Sequence, residues 1–394
     1  MPTAGTRDSP AVLFNRIAGV PGVFFGEDSE VQSPVMTTAY INRIATAVPP
    51  NNVHAGFVRL AETLLPDDRR QRTIFRRMAE HSGIERRYSF LAPASENDTP
   101  ELDAAAFYVR GHFPSTAARM RLFADKAPGL AASAVERLEL GSGRESLTHL
   151  LVTCCTGFTA PGLDLELVER CRLPRSIERT IVGFMGCYAA INALKLARHI
   201  VRSDPKARIL IVNFELCTLH LQDTSDLAKL LTFLLWGDGC AASLVTSEPK
   251  GVAIDSFRAV HFPDTAELMR WDIGDSGFDM ILSGSVPAAI EQGVRAHGKE
   301  ILAGADPRTI ALWAVHPGGR TVVDAVERAF AIPPSALATS RGVLRDFGNM
   351  SSATVMFVLD KLLASGERNA AGCGMAFGPG LIAETMLFRT GRAA

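Results

Sequence analysis

The chain has 394 residues, of which 47% are hydrophobic and 21% charged, and its formal net charge is −1. A chain of this length buries roughly 75% of its unfolded surface, enough for a double-layered globular core. The near-zero charge, with Lys and Arg dispersed along the sequence, excludes a global electrostatic case for nucleic acid or an anionic membrane; any anion site must be local.

Residues 1–35 show no cationic start followed by an unbroken apolar run, because Gly19, Pro21 and Gly22 interrupt the one hydrophobic patch. Neither a signal peptide nor a membrane span is expected, and the segment reads as an N-terminal extension, with Met36 as an alternative start. Residues 69–81 then place Arg72, Arg76 and Arg77 on an amphipathic helix that ends at His81. A strand-like run over 147–155 closes on Thr153, Cys154 and Cys155.

Gly186-Cys187 opens the next helix, predicted to run to about Val201, with Ala190, Ile191, Leu194, Ala197 and Val201 on one face and Pro205 as its stop. A thiol at a helix entrance meets unpaired backbone N–H groups and the positive end of the helix dipole, which favour the thiolate. An unpaired cysteine is also commonly a small core residue. The seven cysteines, at 154, 155, 171, 187, 217, 240 and 373, form no C-x-x-C pair and lack a histidine at zinc-ligand spacing. Reduced thiols in a cytoplasmic protein are the expectation.

The apolar run over 209–214 ends in Glu215, and the turn residues Ser247 to Gly251 mark a join between an N-terminal half, 36–248, and a C-terminal half, 249–394. In the second half a strand-like run ends in His316-Pro317-Gly318-Gly319. Pro317 keeps His316 out of the right-handed helical region, and the two glycines leave room for a ligand. Asn349 precedes an apolar helix over 354–363 and offers two N–H donors, though alone it would read as an ordinary helix cap.

Spacing joins these residues. Thr153 is followed after 34 positions by Cys187 and after 28 more by Glu215; His316 is followed after 33 by Asn349 and after 28 more by Phe377. Two halves that repeat strand, helix and strand in this way bring their helix entrances together around one site.

Five strings in order, Gly186-Cys187, Trp236-Gly-Asp-Gly239, His316-Pro-Gly-Gly319, Gly348-Asn-Met-Ser-Ser-Ala353 and Phe377-Gly-Pro-Gly-Leu381, resemble the thiolase superfamily and, within it, the chalcone-synthase-like type III polyketide synthases. The resemblance covers about residues 36–390. It implies an α/β, thiolase-like five-layered αβαβα fold of two duplicated halves and a homodimer with 159–162 near the two-fold contact. It also implies a reaction without a cofactor, in which acyl-CoA and malonyl-CoA are the substrates. Cys187 would hold the acyl chain as a thioester, and His316 and Asn349 would stabilise the enolate left when malonyl-CoA loses carbon dioxide.

The resemblance further assigns Arg77 to the CoA phosphates, with Ile74 and His81 in place of two basic residues of the family and Arg76 or Arg72 as substitutes. Thr156, Ala160, Cys217 and His220 would line the cavity, Trp236 would gate the CoA tunnel, and Met280 would shape the cyclisation space. The small residues Thr156, Ala160 and Cys217 are similar to the pattern of bacterial alkylpyrone and alkylresorcinol synthases, so a long-chain fatty acyl starter is expected. Tetrahydroxynaphthalene formation from malonyl-CoA alone is the rival within the family. A ketoacyl synthase of the fatty-acid initiation type, or a thiolase-fold partner subunit without catalysis, is the rival outside it.

Overall fold

Apolar and β-branched runs at regular distance from amphipathic segments produce the same succession of elements twice. The computed structural model describes residues 37–391 except 67 and 95–99, so the N-terminal extension, 1–35, lies outside the described residues. The first half comprises β1 (Ala39–Ala47), β2 (Asn51–Asn52), α1 (His54–Leu64), α2 (Arg69–Glu80), β3 (Tyr88–Ser89), α3 (Thr116–Glu136) and β4 (His149–Cys154). It continues with α4 (Leu163–Arg170), β5 (Glu178–Gly183), α5 (Ala189–Ser203), β6 (Ile209–Leu216), α6 (Leu227–Phe233) and β7 (Asp238–Thr246). The second half comprises β8 (Val252–His261), the hairpin β9 (Met269–Gly274) and β10 (Gly277–Leu282), α7 (Val286–Ile301) and β11 (Leu312–Val315). After these come α8 (Arg320–Phe330), α9 (Ala338–Phe347), α10 (Thr354–Ala364), β12 (Ala371–Gly378) and β13 (Ile382–Thr390).

Nine strands share hydrogen bonds in the order β11-β12-β13-β8-β1-β7-β6-β4-β5. Within the first half β4 and β6 are parallel, while β6–β7 and β7–β1 are antiparallel. The second half repeats those senses in β11–β12, β12–β13 and β13–β8. The halves join where Ala39, Tyr40 and Ile41 of β1 pair antiparallel with Ile254, Ala253 and Val252 of β8. The repeat is incomplete: β5 lies between β4 and α5, whereas the matching stretch between β11 and α10 carries α8 and α9, and α6 between β6 and β7 has no counterpart between β12 and β13.

Burial sets the layers. Val355 to Leu359 of α10 are five consecutive buried apolar residues, the mark of a helix covered on all sides. α5 buries Ala190, Ile191, Ala193, Leu194 and Ala197, small enough for close approach, and both helices share one core with strands of both halves. α3 and α4 pack on the outer side of the first half, and α7 and α8 on that of the second. The result is the αβαβα stack, with the N-termini of α5 and α10 side by side in the middle layer. No helix among the described residues is long and apolar enough to cross a membrane.

Candidate active site

Cys187 lies in the single turn Gly186–Tyr188 between β5 and α5, and is 4% exposed. Gly186 has φ +76°, and a Cβ there would sit 2.2 Å from Pro379 Cδ. A Cβ on Gly378 would meet Tyr188 Cδ1 at 2.6 Å. The glycines of two distant motifs thus let the β12–β13 turn press against the cysteine loop, and the Tyr188 hydroxyl donates to the Pro379 carbonyl across that contact at 3.3 Å.

His316 leaves the end of β11 with its backbone N–H donated to the Met375 carbonyl at 2.7 Å, and the Gly318 N–H donates back to the His316 carbonyl at 3.0 Å. Asn349 is fixed from three sides. Its backbone N–H donates to the Leu235 carbonyl at 2.8 Å, and its own carbonyl accepts from Gly237 at 2.9 Å. Its side-chain Oδ1 accepts from the Ser351 N–H at 2.9 Å, while Nδ2 donates to the Gly318 carbonyl at 3.1 Å. One Nδ2 hydrogen is left over for another acceptor.

These groups converge. Cys187, His316, Asn349, Gly318, Trp236 and Met280 border one cavity of about 30 Å³. Burial pushes the Cys187 thiol up to about 12; a hydrogen bond with Ser351 opposes that rise, the Glu215 carboxylate adds to it, and Asn349 opposes it. Burial also drives the His316 imidazole down to about 3, and neither of its ring nitrogens has a hydrogen-bond partner. The helix entrance alone suggested a thiolate; in the closed cavity desolvation outweighs it, and the neutral thiol is favoured unless the proton passes to His316.

Both halves of the chain match known sequences. The family model for chalcone and stilbene synthases, N-terminal domain, matches residues 29–249, and the C-terminal domain model matches residues 254–391. The chain belongs to the chalcone and stilbene synthases. The first match begins inside the segment that the sequence reading left out of the family, so positions 29–35 are part of it. Bisdemethoxycurcumin synthase of Oryza sativa subsp. japonica is 34% identical over 335 residues, 79% of this chain and 82% of that protein. The alpha-pyrone synthesis polyketide synthase-like Pks18 of Mycobacterium tuberculosis is 32% identical over 372 residues, 90% of this chain and 92% of that protein. Among solved structures, PKS-I of the brown alga Ectocarpus siliculosus has a TM-score of 0.80 at 27% identity, covering 90% of this chain and 98% of that one. The C-terminal type III polyketide synthase domain of Steely1 from Dictyostelium has the same TM-score of 0.80 at 24% identity, covering 90% and 99%. The chain is therefore a type III polyketide synthase, an acyltransferase of the malonyl-CoA-condensing class.

In this polyketide synthase the remaining expected site residues separate. Thr156 is buried but committed, donating to Glu215 and accepting from the Leu216 N–H. Cys217 is buried in the same apolar core as Cys187 without bordering the cavity. His220 is fully engaged: Nε2 bonds the Thr156 carbonyl at 2.7 Å, Nδ1 accepts from the Phe278 N–H, and the ring stacks on Phe278. Burial lowers its pKa to about 3, so it is a neutral structural residue. Ala160 is exposed, and Gly319 faces Leu235 instead of the cavity. Arg77 is exposed on the last turn of α2, and Arg76 is held bidentately by Glu62. Arg320, at the start of α8, reaches the His81 carbonyl at 3.3 Å and brings a further cation to that corner.

Sequence reasoning missed Trp271, whose ring meets Trp236 edge-on at 5.7 Å, and Ser351 beside the thiol. A lone tryptophan between Arg270 and Asp272 in a short hairpin was the available signal for the first. It also missed Arg87, which is 2% exposed and donates to the carbonyls of Phe233 and Trp236, clamping the Trp236 backbone.

Proposed function

We propose that this enzyme loads a long-chain acyl-CoA starter on Cys187, extends it with malonyl-CoA and closes the product to an alkylpyrone or alkylresorcinol. The convergence of Cys187, His316 and Asn349 on one cavity, with both His316 nitrogens unpartnered, carries the catalytic part of this reading. The likeness to a protein named for alpha-pyrone synthesis supports the ring type.

Sγ of Cys187 gives its proton to His316 and attacks the starter carbonyl; the CoA thiolate leaves and takes that proton. Malonyl-CoA then loses carbon dioxide, and the electron pair of the broken bond moves onto the thioester oxygen as an enolate. His316 and the free N–H of Asn349 donate to that oxygen, an interaction worth about 3–4 kcal/mol for a well-aimed donor. The Gly318 and Ser351 bonds hold the carboxamide in the orientation this requires. The enolate carbon attacks the Cys187 thioester, the thiolate is expelled, and the chain, longer by two carbons, rests on CoA. Arg77 on the last turn of α2, and Arg320, which donates to the His81 carbonyl and pairs with Asp324 at 3.8 Å, are cations proposed to meet the CoA phosphates.

Incubation with malonyl-CoA and a series of acyl-CoA starters, with products read by mass spectrometry, tests the reading. Alkylpyrones or alkylresorcinols from long starters are expected, and Cys187→Ala should abolish condensation. Tetrahydroxynaphthalene from malonyl-CoA alone, or a Cys187→Ala enzyme extending at the wild-type rate, would overturn it.

A further inference from the structure

Arg87 stands between α2 and β3 in the N-terminal half, and its side chain is buried. Nη1 donates to the carbonyl of Phe233, the last residue of α6, at 2.9 Å and also to that of Trp236, while Nε donates to Nδ1 of His54 at 3.1 Å. The segment held in this way, residues 233–237, is the one on which Asn349 of the C-terminal half is set. The Leu235 carbonyl accepts from the Asn349 N–H, the Gly237 N–H donates to the Asn349 carbonyl, and Trp236 and Asn349 form a parallel bridge. The stem of Arg87 fills the space behind that pairing. A Cβ on Gly348, where φ is +70°, would lie 2.8 Å from Arg87 Cγ, and one on Gly237 would lie 3.6 Å from Arg87 Cβ. Only a flat, rigid fork reaches two carbonyls and an imidazole nitrogen from one buried position, and an ammonium does not. Burial pushes Arg87 down to about 9, and the Asp238 carboxylate opposes that fall. Two of its bonds go to main-chain carbonyls, so what the cation fixes is the path of the chain.

We infer that Arg87 is a positioning residue for the enolate step: from the other half of the chain it sets the segment that places Asn349, and through it the N–H offered to the enolate oxygen. This rests on the role given to Asn349 above. The Cys187 loop is held separately, by the close approach of Gly186 and Gly378 to their neighbours and by the bond from Tyr188 to Pro379. Loss of the fork therefore displaces the carboxamide and leaves the thiol in place. A misplacement of about 1 Å at a catalytic group costs about 10²-fold in rate, so the two halves of the reaction should separate.

The test measures two quantities in the full-length enzyme: kcat and KM for carbon dioxide release from malonyl-CoA, and the rate of Cys187 alkylation by iodoacetamide, which reads the thiol and His316 without Asn349. Arg87→Met should lower the decarboxylation kcat by about tenfold or more relative to the alkylation rate, with the KM for malonyl-CoA moving by less than about threefold. Arg87→Lys, which keeps the charge without the fork, should fall between Arg87→Met and the wild type. Asn349→Ala should lose decarboxylation, and the double variant Arg87→Met/Asn349→Ala should lose no more than Asn349→Ala alone, because the fork acts only through that carboxamide. If Arg87→Met fails to fold, His54→Leu removes the partner of Nε, leaves the guanidinium and is read by the same ratio. Equal losses in both quantities, no loss in either, or additive losses in the double variant would overturn the inference while leaving the role of Asn349 intact. An Asn349→Ala enzyme that decarboxylates at the wild-type rate would remove both.

Discussion

Cys187 and His316 are each pushed toward neutrality by their own burial, to about 12 and about 3, so a charge on either alone is strongly disfavoured. Moving the proton from sulfur to imidazole leaves the net charge of the cavity unchanged, so in the proposed mechanism His316 is the route by which the thiolate forms. His316→Gln removes that route. The thiol should then titrate near its buried value, so inactivation by iodoacetamide at pH 7 should slow by about tenfold or more. The sign follows from the raised pKa: below about 12 the thiolate fraction, and with it the rate, should climb with pH and reach no plateau while the protein stays folded. A plateau near neutrality in His316→Gln would show that the helix entrance alone lowers the thiol. That Cys187, His316 and Asn349 border one space was legible in the sequence because each sits in a motif punctuated by glycine or proline. Their charge states were not, since those depend on Trp236, Met280 and Phe377 closing the space from elsewhere in the chain.

Among the elements, the repeat of strand, helix and strand could be read from spacing because the residues that terminate strands recur at nearly equal distances. What replaces β5 in the second half could not, since the step of 33 positions from His316 to Asn349 holds α8 and α9 in nearly the length, 34, that the first half gives to α4 and β5. The cavity walls were legible in part: Trp236, Met280 and Gly318 border it as expected, whereas Thr156 and His220 are drawn away by Glu215 and by the Phe278 N–H. The turn before α5 gives a prediction. Gly186→Ala meets both a left-handed φ of +76° and the 2.2 Å approach to Pro379, whereas Gly380→Ala, with φ +73°, faces open space. The first should lose about 2–4 kcal/mol in urea unfolding and the second about 1–2, because only the first adds overpacking to backbone strain. Equal losses would show that the Pro379 contact relaxes freely.

At the scale of the whole molecule, the nine-stranded assembly ends at β5, whose residues Glu178 to Ile181 are exposed. Beside that open edge lie Phe158, 42% exposed, Ile181, 46%, and Phe184, 37%, with the rings of Phe158 and Phe184 5.6 Å apart. An edge strand flanked by exposed aromatic and aliphatic side chains is a pairing surface, and an isologous contact would let β5 meet its own copy. Ala160, which does not reach the cavity of its own chain, lies in the loop next to this patch and would face the partner instead. Phe158, Ile181 and Phe184 are each already more than half buried, so covering the rest contributes less than half of the full-burial value, about 1 kcal/mol apiece, toward a dimer. A lysine at the centre of the patch should cancel that gain by placing a charge in a desolvated contact. Light scattering after size exclusion should therefore give the mass of two chains for the wild type and of one chain for Ile181→Lys. A wild type that elutes as one chain rejects the dimer, and an Ile181→Lys variant that still elutes as two places the contact on another face.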